Sequence, residues 1–381
     1  MPHKTKDIQR TQFPQAREHV FCEGETYFES LIEGICSAEQ SIELESYIFK
    51  TDSVGLRFID ALTAAAKRGV NVRVLIDGVG SSADGQKLST RLNDGGVDTK
   101  IFHPLPWQVD QYRWSIKQGS FIERLFFFIQ KMNQRDHRKL CIIDKQRLWT
   151  GSLNICDQHL SVERGGDGWR DLGVLVTGKR VAEVNSTFES IWNQQGLASK
   201  KNRFRTILSN LSPVTRRRKY QFITRRIQQA KSRVWIASAY FSPSSDFVEA
   251  IKLACQRGAE VRLIVPSHSD AFFFPYLTAS YYPELLEAGV EIYEYSPAFL
   301  HAKALIVDEY FLIGSTNFNH RSFLHDLELD IALTTKAARQ ALESRFKADT
   351  KEATQITHKQ LVSRTWSIYL GWIPRLVRYW L

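Results

Sequence analysis

The pattern H-x-K-x-x-x-x-D followed by G-S-x-N occurs twice in this chain, and it constrains the fold more than any other feature. The first copy, HRKLCIIDKQRLWTGSLN, supplies His137, Lys139, Asp144, Gly151, Ser152 and Asn154. The second, HAKALIVDEYFLIGSTN, supplies His301, Lys303, Asp308, Gly314, Ser315 and Asn317. A single match can arise by chance in a long chain, but two copies with G-S-x-N at nearly the same offset do not. Each copy runs from an apolar stretch through a polar turn into a second apolar stretch, which reads as strand, turn and strand. One His and one Lys per copy imply a composite site built from two halves. Two His and two Lys together suit an anionic phosphate.

The halves align beyond these motifs. SIELESYIF, DSVGLRFIDALTAAAKRG and VNVRVLID read as strand, helix and strand; so do SRVWIASAYF, SSDFVEAIKLACQRG and AEVRLIVP. Such β-α-β units predict a parallel or mixed sheet. The expected architecture is α/β: two similar domains, each a mixed β-sheet flanked by helices, related by a pseudo-two-fold with the site at their interface. At 381 residues the chain is long enough for two cores. The expected division is an extension over 1–20, a first domain over 21–195, a basic linker over 196–226, a second domain over 227–350 and a terminal segment over 351–381. Arg68-Gly69 aligns with Arg257-Gly258, yet His137 follows Arg68 by 69 positions and His301 follows Arg257 by 44. The first half therefore carries 25 extra residues, an insertion near 104–132 with the run Leu125-Phe126-Phe127-Phe128-Ile129. That run reads either as a core helix or as an element beside the site that meets lipid.

Net charge of +10 and a pI near 9.3 point to an anionic partner, nucleic acid or an acidic membrane. No acid lies between Glu189 and Asp246, a stretch that includes Arg216, Arg217, Arg218 and Lys219. A surface-binding patch is favoured over a solvated linker. No acid follows Glu352, and Trp366, Tyr369, Trp372, Tyr379 and Trp380 lie among Arg364, Arg375 and Arg378. That composition reads as an interfacial anchor rather than a spanning helix. The N-terminus has no apolar core of a signal peptide, and no apolar run reaches spanning length, so a soluble or peripheral protein is expected. Cys22, Cys36, Cys141, Cys156 and Cys255 are odd in number without a C-x-x-C pair, and read as free thiols in a reducing compartment.

The chemistry follows from the residue types. Lys139 and Lys303, with Ser152, Asn154, Ser315 and Asn317, supply donors that neutralise and orient the oxygens of a phosphodiester. One imidazole attacks phosphorus; the other protonates the leaving alcohol and then deprotonates the incoming one. A nucleophilic His needs a partner on its second nitrogen. Asp171 in WRDLGVLVTG and Glu328 in HDLELDIAL alternate with apolar residues and follow the histidines at similar offsets, 34 and 27. An inward acid on such a strand is costly unless paired. Asp144 and Asp308 are part of the motif but read as turn or structural residues first, acting on catalysis indirectly. Lys two residues after His is a poor neighbour for a cation, so no metal is expected. With no P-loop and no G-x-G-x-x-G opening a helix, no cofactor is expected. His3, His103, His159, His268, His320, His325 and His358 read as surface or structural.

The duplicated motif resembles the phospholipase D superfamily over roughly residues 20–350. Within it the chain looks most like bacterial cardiolipin synthase of the short form without N-terminal transmembrane helices. ESYIFKTDSVG, AAAKRGVNVRVLIDGVGS, AYFSPSSDF, VRLIVPSHSD and GSTNFNHRSFLHDLELD carry that narrower likeness; His320 and Asp326 depart from it, standing where Pro and Asn are expected. The resemblance implies His137 as nucleophile, His301 as general acid and base, and Asp171 and Glu328 as the carboxylates that orient them. It also implies metal independence, a peripheral enzyme on the cytoplasmic face of a bacterial inner membrane, and phosphatidylglycerol as substrate. Two alternatives share the site: a phospholipase D-type phosphodiesterase or a transferase of another headgroup, and an endonuclease. The nuclease, and nucleic acid as partner, fit less well with the two-domain length and the aromatic termini.

Overall fold

Strand residues alternate between two faces, and in the motif strands both faces are apolar. In β5 (Leu140–Ile143), Cys141 and Ile143 pack beneath the first-domain helices, while Leu140 and Ile142 point into a different core. In β12 (Ala304–Val307), Leu305 and Val307 pack beneath the second-domain helices, while Ala304 and Ile306 join Leu140 and Ile142. Two sheets therefore share one apolar core and cover their outer faces with helices. Both motifs lie at this shared seam. The computed structural model describes residues 18–103, 134–193 and 206–363.

The first sheet has seven strands: β1 (Glu18–Phe21), β2 (Ser41–Ser46), β3 (Asn71–Asp77), β4 (Asp98–Phe102), β5, β6 (Arg147–Gly151) and β7 (Gly173–Thr177). Their order is β1-β7-β6-β5-β2-β3-β4. The second has eight: β8 (Ile207–Ser209), β9 (Arg233–Ala237), β10 (Glu260–Pro266), β11 (Glu291–Tyr295), β12, β13 (Tyr310–Gly314), β14 (Leu329–Leu333) and β15 (Thr354–Ile356). Their order is β15-β11-β10-β9-β12-β13-β14-β8, the first order reversed with one strand added. β2, β3 and β4 are parallel, as are β9, β10 and β11, and the remaining pairs are antiparallel. The sheets are mixed and duplicated, as the sequence predicts. The helices Ser53–Lys67 and Ser245–Gln256 occupy matching places between the first two strands of each parallel set.

The glycine of G-S-x-N has a steric cause. A Cβ on Gly151 would sit 2.2 Å from the carbonyl oxygen of Leu172, and one on Gly314 would sit 2.4 Å from that of Leu329. Only glycine lets β6 and β13 end so close to β7 and β14.

The aspartates of the two motifs cap the far ends of the hairpins. Asp144 Oδ1 accepts the backbone N–H groups of Gln40 at 2.7 Å, Ser41 at 3.1 Å and Glu39 at 3.2 Å. Asp308 does the same for Ser232 at 2.8 Å, Lys231 at 3.1 Å and Arg233 at 3.2 Å. Both occupy left-handed backbone, φ 52° and 50°, which Asp tolerates better than most residues. These two residues tie each motif hairpin to the neighbouring strand and do not line the cavity described below. These contacts are structural. Burial alone would raise the Asp144 carboxyl, but the three N–H donors outweigh it and hold the pKa below the ordinary value of 3.8. The stabilisation is therefore complete above the ordinary aspartate range and fades as pH falls below it. Asp144→Ala is expected to cost about 1–3 kcal/mol at neutral pH in urea unfolding, a gap that closes toward acid.

Three expected segments divide differently. Residues 206–226 are not a linker: β8 pairs with β14, and Pro213–Gln228 is a helix. Its start is a reciprocal cap, in which Thr215 N–H donates to Ser212 Oγ and Ser212 N–H to Thr215 Oγ1, followed by Pro213 in the first turn. Lys219 on that helix is buried, its Nζ 2.7 Å from Asp330 and 2.8 Å from Thr316 Oγ1. Residues 354–356 add β15 to the second sheet, so that domain continues past 350. The Phe-rich insertion and the aromatic terminus beyond 363 lie outside the described residues. Among the described residues no helix is long and apolar enough to cross a membrane.

Candidate active site

The strand entering each motif pairs with the opposite domain. His137 N–H donates to the carbonyl of Leu327 at 3.0 Å, and His301 N–H to that of Arg170 at 2.9 Å. The residues next in line, Glu328 and Asp171, are thereby set beside the histidines. His137 Nδ1 lies 3.1 Å from Glu328 Oε1, and His301 Nδ1 lies 2.7 Å from Asp171 Oδ1. Each motif imidazole is held by a carboxylate from the other half, so neither motif His finds its acid within its own half. The sequence offsets leave open which His each acid holds; the pairing crosses between the halves. With Nδ1 engaged, Nε2 is the reactive nitrogen in both rings.

His and Lys at i and i+2 fall on one side of a strand. Lys139 Nζ donates to the carbonyl of His137 at 2.8 Å and Lys303 Nζ to that of His301 at 2.6 Å. Ser152 Oγ donates to Asp171 Oδ1 at 2.7 Å, and Ser315 Oγ donates to Glu328. In return, Leu172 N–H and Leu329 N–H each donate to the serine, both at 3.0 Å. The two serines thus steer the carboxylates instead of opening toward substrate. Asn154 and Asn317 line the cavity, and Asn317 Oδ1 is buried with no hydrogen-bond partner.

His137 and His301 share one open cavity of about 410 Å³. Burial, then Lys139 and Lys303, push the pKa of His137 well below its usual range, and burial with Lys303 pushes His301 down to about 3. Both rings are neutral before an anion arrives. Burial also lowers Lys303 well below its ordinary value and Lys139 to about 8. An entering phosphate would supply the missing negative charge and draw protons onto this set. The two acids diverge. Burial pushes Glu328 up to about 8 against the pull of Lys139 and Lys219. Burial opposes ionisation of Asp171 too, but His159 and His301 outweigh it and hold that carboxyl well below its ordinary value.

Several cavity residues escaped the sequence reading. Tyr47 packs edge-on against His137 at 4.9 Å, with Lys139 Nζ 5.1 Å from its ring centre. Its counterpart Tyr240 packs near His301 at 6.5 Å and donates to Asp270 at 2.5 Å. Both tyrosines sit in the aligned stretches ESYIF and SAYF, so the repeat itself carried the signal. Trp169 lies 5.1 Å from His301. Arg321 lines the cavity and donates to Asp326, one of the departures from the family pattern. His159 is buried beside Asp171, not on the surface. His159, Asp171 and His301 bring three donor atoms within 4.8 Å. Their N···O separations of 2.6 and 2.7 Å are hydrogen bonds; bridging by a cation with bonds near 2 Å would spread them wider.

Comparison with known proteins agrees with this geometry. A family model described as "Cardiolipin synthase, PLD-like domain" matches residues 31–192 and 223–350, one segment per domain. The probable cardiolipin synthase YwiE of Bacillus subtilis is 30% identical over 351 residues, covering 88% of this chain and 66% of the relative. A cardiolipin synthase of Geobacillus is 33% identical over 371 residues, covering 92% and 69%. The chain thus spans about two thirds of the length of these relatives. Phosphatidylserine synthase of Haemophilus influenzae superposes with a TM-score of 0.68 over 96% of this chain and 95% of that one at 14% identity, which speaks for the fold alone. With both domains matched and the duplicated motif intact, the chain belongs to the cardiolipin synthase family of phospholipase D-like proteins.

Proposed function

We propose that this chain is a phosphatidyltransferase that joins two phosphatidylglycerol molecules into cardiolipin and releases glycerol. The observation that carries the reading is the crossed pairing: two imidazoles, each held at Nδ1 by the other domain's acid, facing one cavity. His137 Nε2 attacks the phosphorus of the first phosphatidylglycerol. The bond to the glycerol oxygen breaks as His301, which takes up a solvent proton at Nε2 when the phosphate enters, gives that oxygen the proton. The second phosphatidylglycerol then gives its hydroxyl proton to His301, and its oxygen displaces His137 from phosphorus. Both histidines return to their starting states. Lys139, Lys303, Asn154 and Asn317 hold the phosphate oxygens, and charge developing on them is what these donors stabilise. Water reaching the intermediate would yield phosphatidic acid instead, so the acceptor must outcompete it.

The substrate sits in a membrane, and the rim of the cavity suits contact with one. Phe272 is 82% exposed and Tyr276 is 43% exposed, beside the lining residues Ala271 and Phe274. An aromatic side chain projecting beside the mouth favours the lipid interface. The chain would then act as a peripheral protein on the cytoplasmic face of the bacterial inner membrane. Phe272→Ser is expected to weaken binding to phosphatidylglycerol vesicles about tenfold, the worth of burying one Phe side chain. Turnover of a dispersed short-chain phosphatidylglycerol should fall much less. Equal losses on both substrates would remove the rim from membrane docking.

The function itself is tested by mass spectrometry of lipids from bacterial cells lacking cardiolipin synthase. Cardiolipin is expected with the intact chain and not with His137→Ala. Phosphatidic acid or a new headgroup in place of cardiolipin would redirect the reading to a hydrolase or another transferase.

A further inference from the structure

We propose that His159 is a positioning residue that keeps Asp171 ionised and aimed at His301, and so makes the two halves of the site chemically unequal. This inference rests on the reaction proposed above, with His301 as its acid and base. His159 is 1% exposed. Its Nδ1 lies 2.6 Å from Asp171 Oδ2, the oxygen not bound by His301. Its Nε2 accepts the backbone N–H of Asn154 at 3.1 Å. Burial disfavours a charged ring, and Asp171 pulls the other way, toward a pKa of about 10. The Asn154 contact decides between them, because an N–H donor cannot face a protonated nitrogen. His159 is the neutral ring with its proton on Nδ1, and it donates to Asp171.

The repeat supplies a control within the molecule. His159 lies five residues after Asn154, and Ser322 lies five residues after Asn317. Ser322 also acts on the acid of its half, lowering the Glu328 carboxyl against the rise from burial. The same station steers the carboxylate in both halves, but with different chemistry. A hydroxyl rotates and can donate or accept, so it tolerates Glu328 in either protonation state. An imidazole pinned by Asn154 can only donate toward Asp171, and it therefore selects the ionised carboxylate. Asp171 thus receives His159, His301 and Ser152 as converging donors. A fixed anion at Nδ1 stabilises His301 when Nε2 gains a proton, which is the state a general acid needs. His137 faces an acid that can itself be neutral, so its ring is drawn less strongly toward the protonated state. No local pattern signals this, since a lone His in CDQHL resembles any surface histidine.

The test compares the intact chain with His159→Phe, which cannot donate, and His159→Ser, which copies the station of Ser322. Turnover of phosphatidylglycerol vesicles and of bis(4-nitrophenyl) phosphate is followed across pH, with melting curves to show folding. His159→Phe should lower kcat about 10- to 100-fold, the worth of a hydrogen bond to a charged group, with little change in KM. Losing the donor raises the pKa of Asp171, so the loss of activity on acidification should begin about 1 pH unit higher or more. His159→Ser should recover part of both effects. A uniform fall in kcat with an unmoved acid limb would reduce His159 to packing and overturn the inference. Histidine 15N spectra of the unaltered protein give a second readout, independent of activity and of whether a variant folds. A neutral ring protonated on Nδ1 is expected from pH 6 to 8, and the other tautomer or a charged ring would overturn the inference equally. Failure to make cardiolipin while bis(4-nitrophenyl) phosphate still turns over would strike the lipid reading alone.

Discussion

His137→Ala and His301→Ala should fail in different ways, although their motifs are nearly the same. Bis(4-nitrophenyl) phosphate has a leaving group that departs without a proton. His301→Ala should therefore still complete the first step and release about one equivalent of nitrophenolate per protein in a burst, then stall. The second step needs a base to take the acceptor's proton, and that variant has none. A phosphoryl group should remain on His137, detectable as added mass that is stable to alkali and lost in acid. His137→Ala should give no burst and no adduct, with steady turnover lowered by about 10,000-fold or more. The neutral state of the His137 ring in the free protein fits the nucleophile's role, since a protonated imidazole has no lone pair to offer. A burst from His137→Ala and none from His301→Ala would exchange the two roles. Bursts from neither would remove the covalent intermediate altogether.

Much of this fold was legible because the repeat doubles every signal. The alternation in KLCIID and KALIVD predicts strands, and the R-G pair fixes the alignment of the preceding helices. The motif aspartates read as turn residues because polar turns must interrupt apolar runs. What remained hidden depends on contacts between halves. A strand's pattern tells which face an acid points from, not which histidine stands opposite, so Asp171 and Glu328 were found without their crossed partners. The basic stretch read as a linker because Lys219 finds its acid, Asp330, only once β14 has folded beside it. Its Ser-Pro-x-Thr start is a local helix signal that a reading from charge alone passes over. His159 had no sign at all: its meaning comes from Asp171 and Asn154, which the turn after β6 brings around it.

The two orienting acids should respond to neutralisation by very different amounts. Asp171→Asn replaces a carboxylate that accepts from His159, His301 and Ser152 with a group that must turn an N–H toward one of them. One buried donor then faces another, or His301 adopts the wrong tautomer with its proton on Nε2. Either outcome removes the acid and base, and kcat should fall by about 1,000- to 10,000-fold at every pH. Glu328→Gln is a gentler change. Burial pushes the Glu328 carboxyl up to about 8, so at pH 6 to 7 it is mostly neutral, offering one donor and one acceptor as an amide does. Near pH 6.5 the loss should stay within about tenfold. Above pH 8 the native carboxyl ionises, the amide cannot follow, and the gap between variant and parent should widen. Measuring kcat for both variants from pH 6 to 9 separates the two sides of the site. Equal, pH-independent losses would mean that the halves are as symmetric in chemistry as they are in sequence. The divergent result would show one duplicated motif holding an anion on one side and a titrating acid on the other, which is how a two-fold repeat can give two histidines two different tasks.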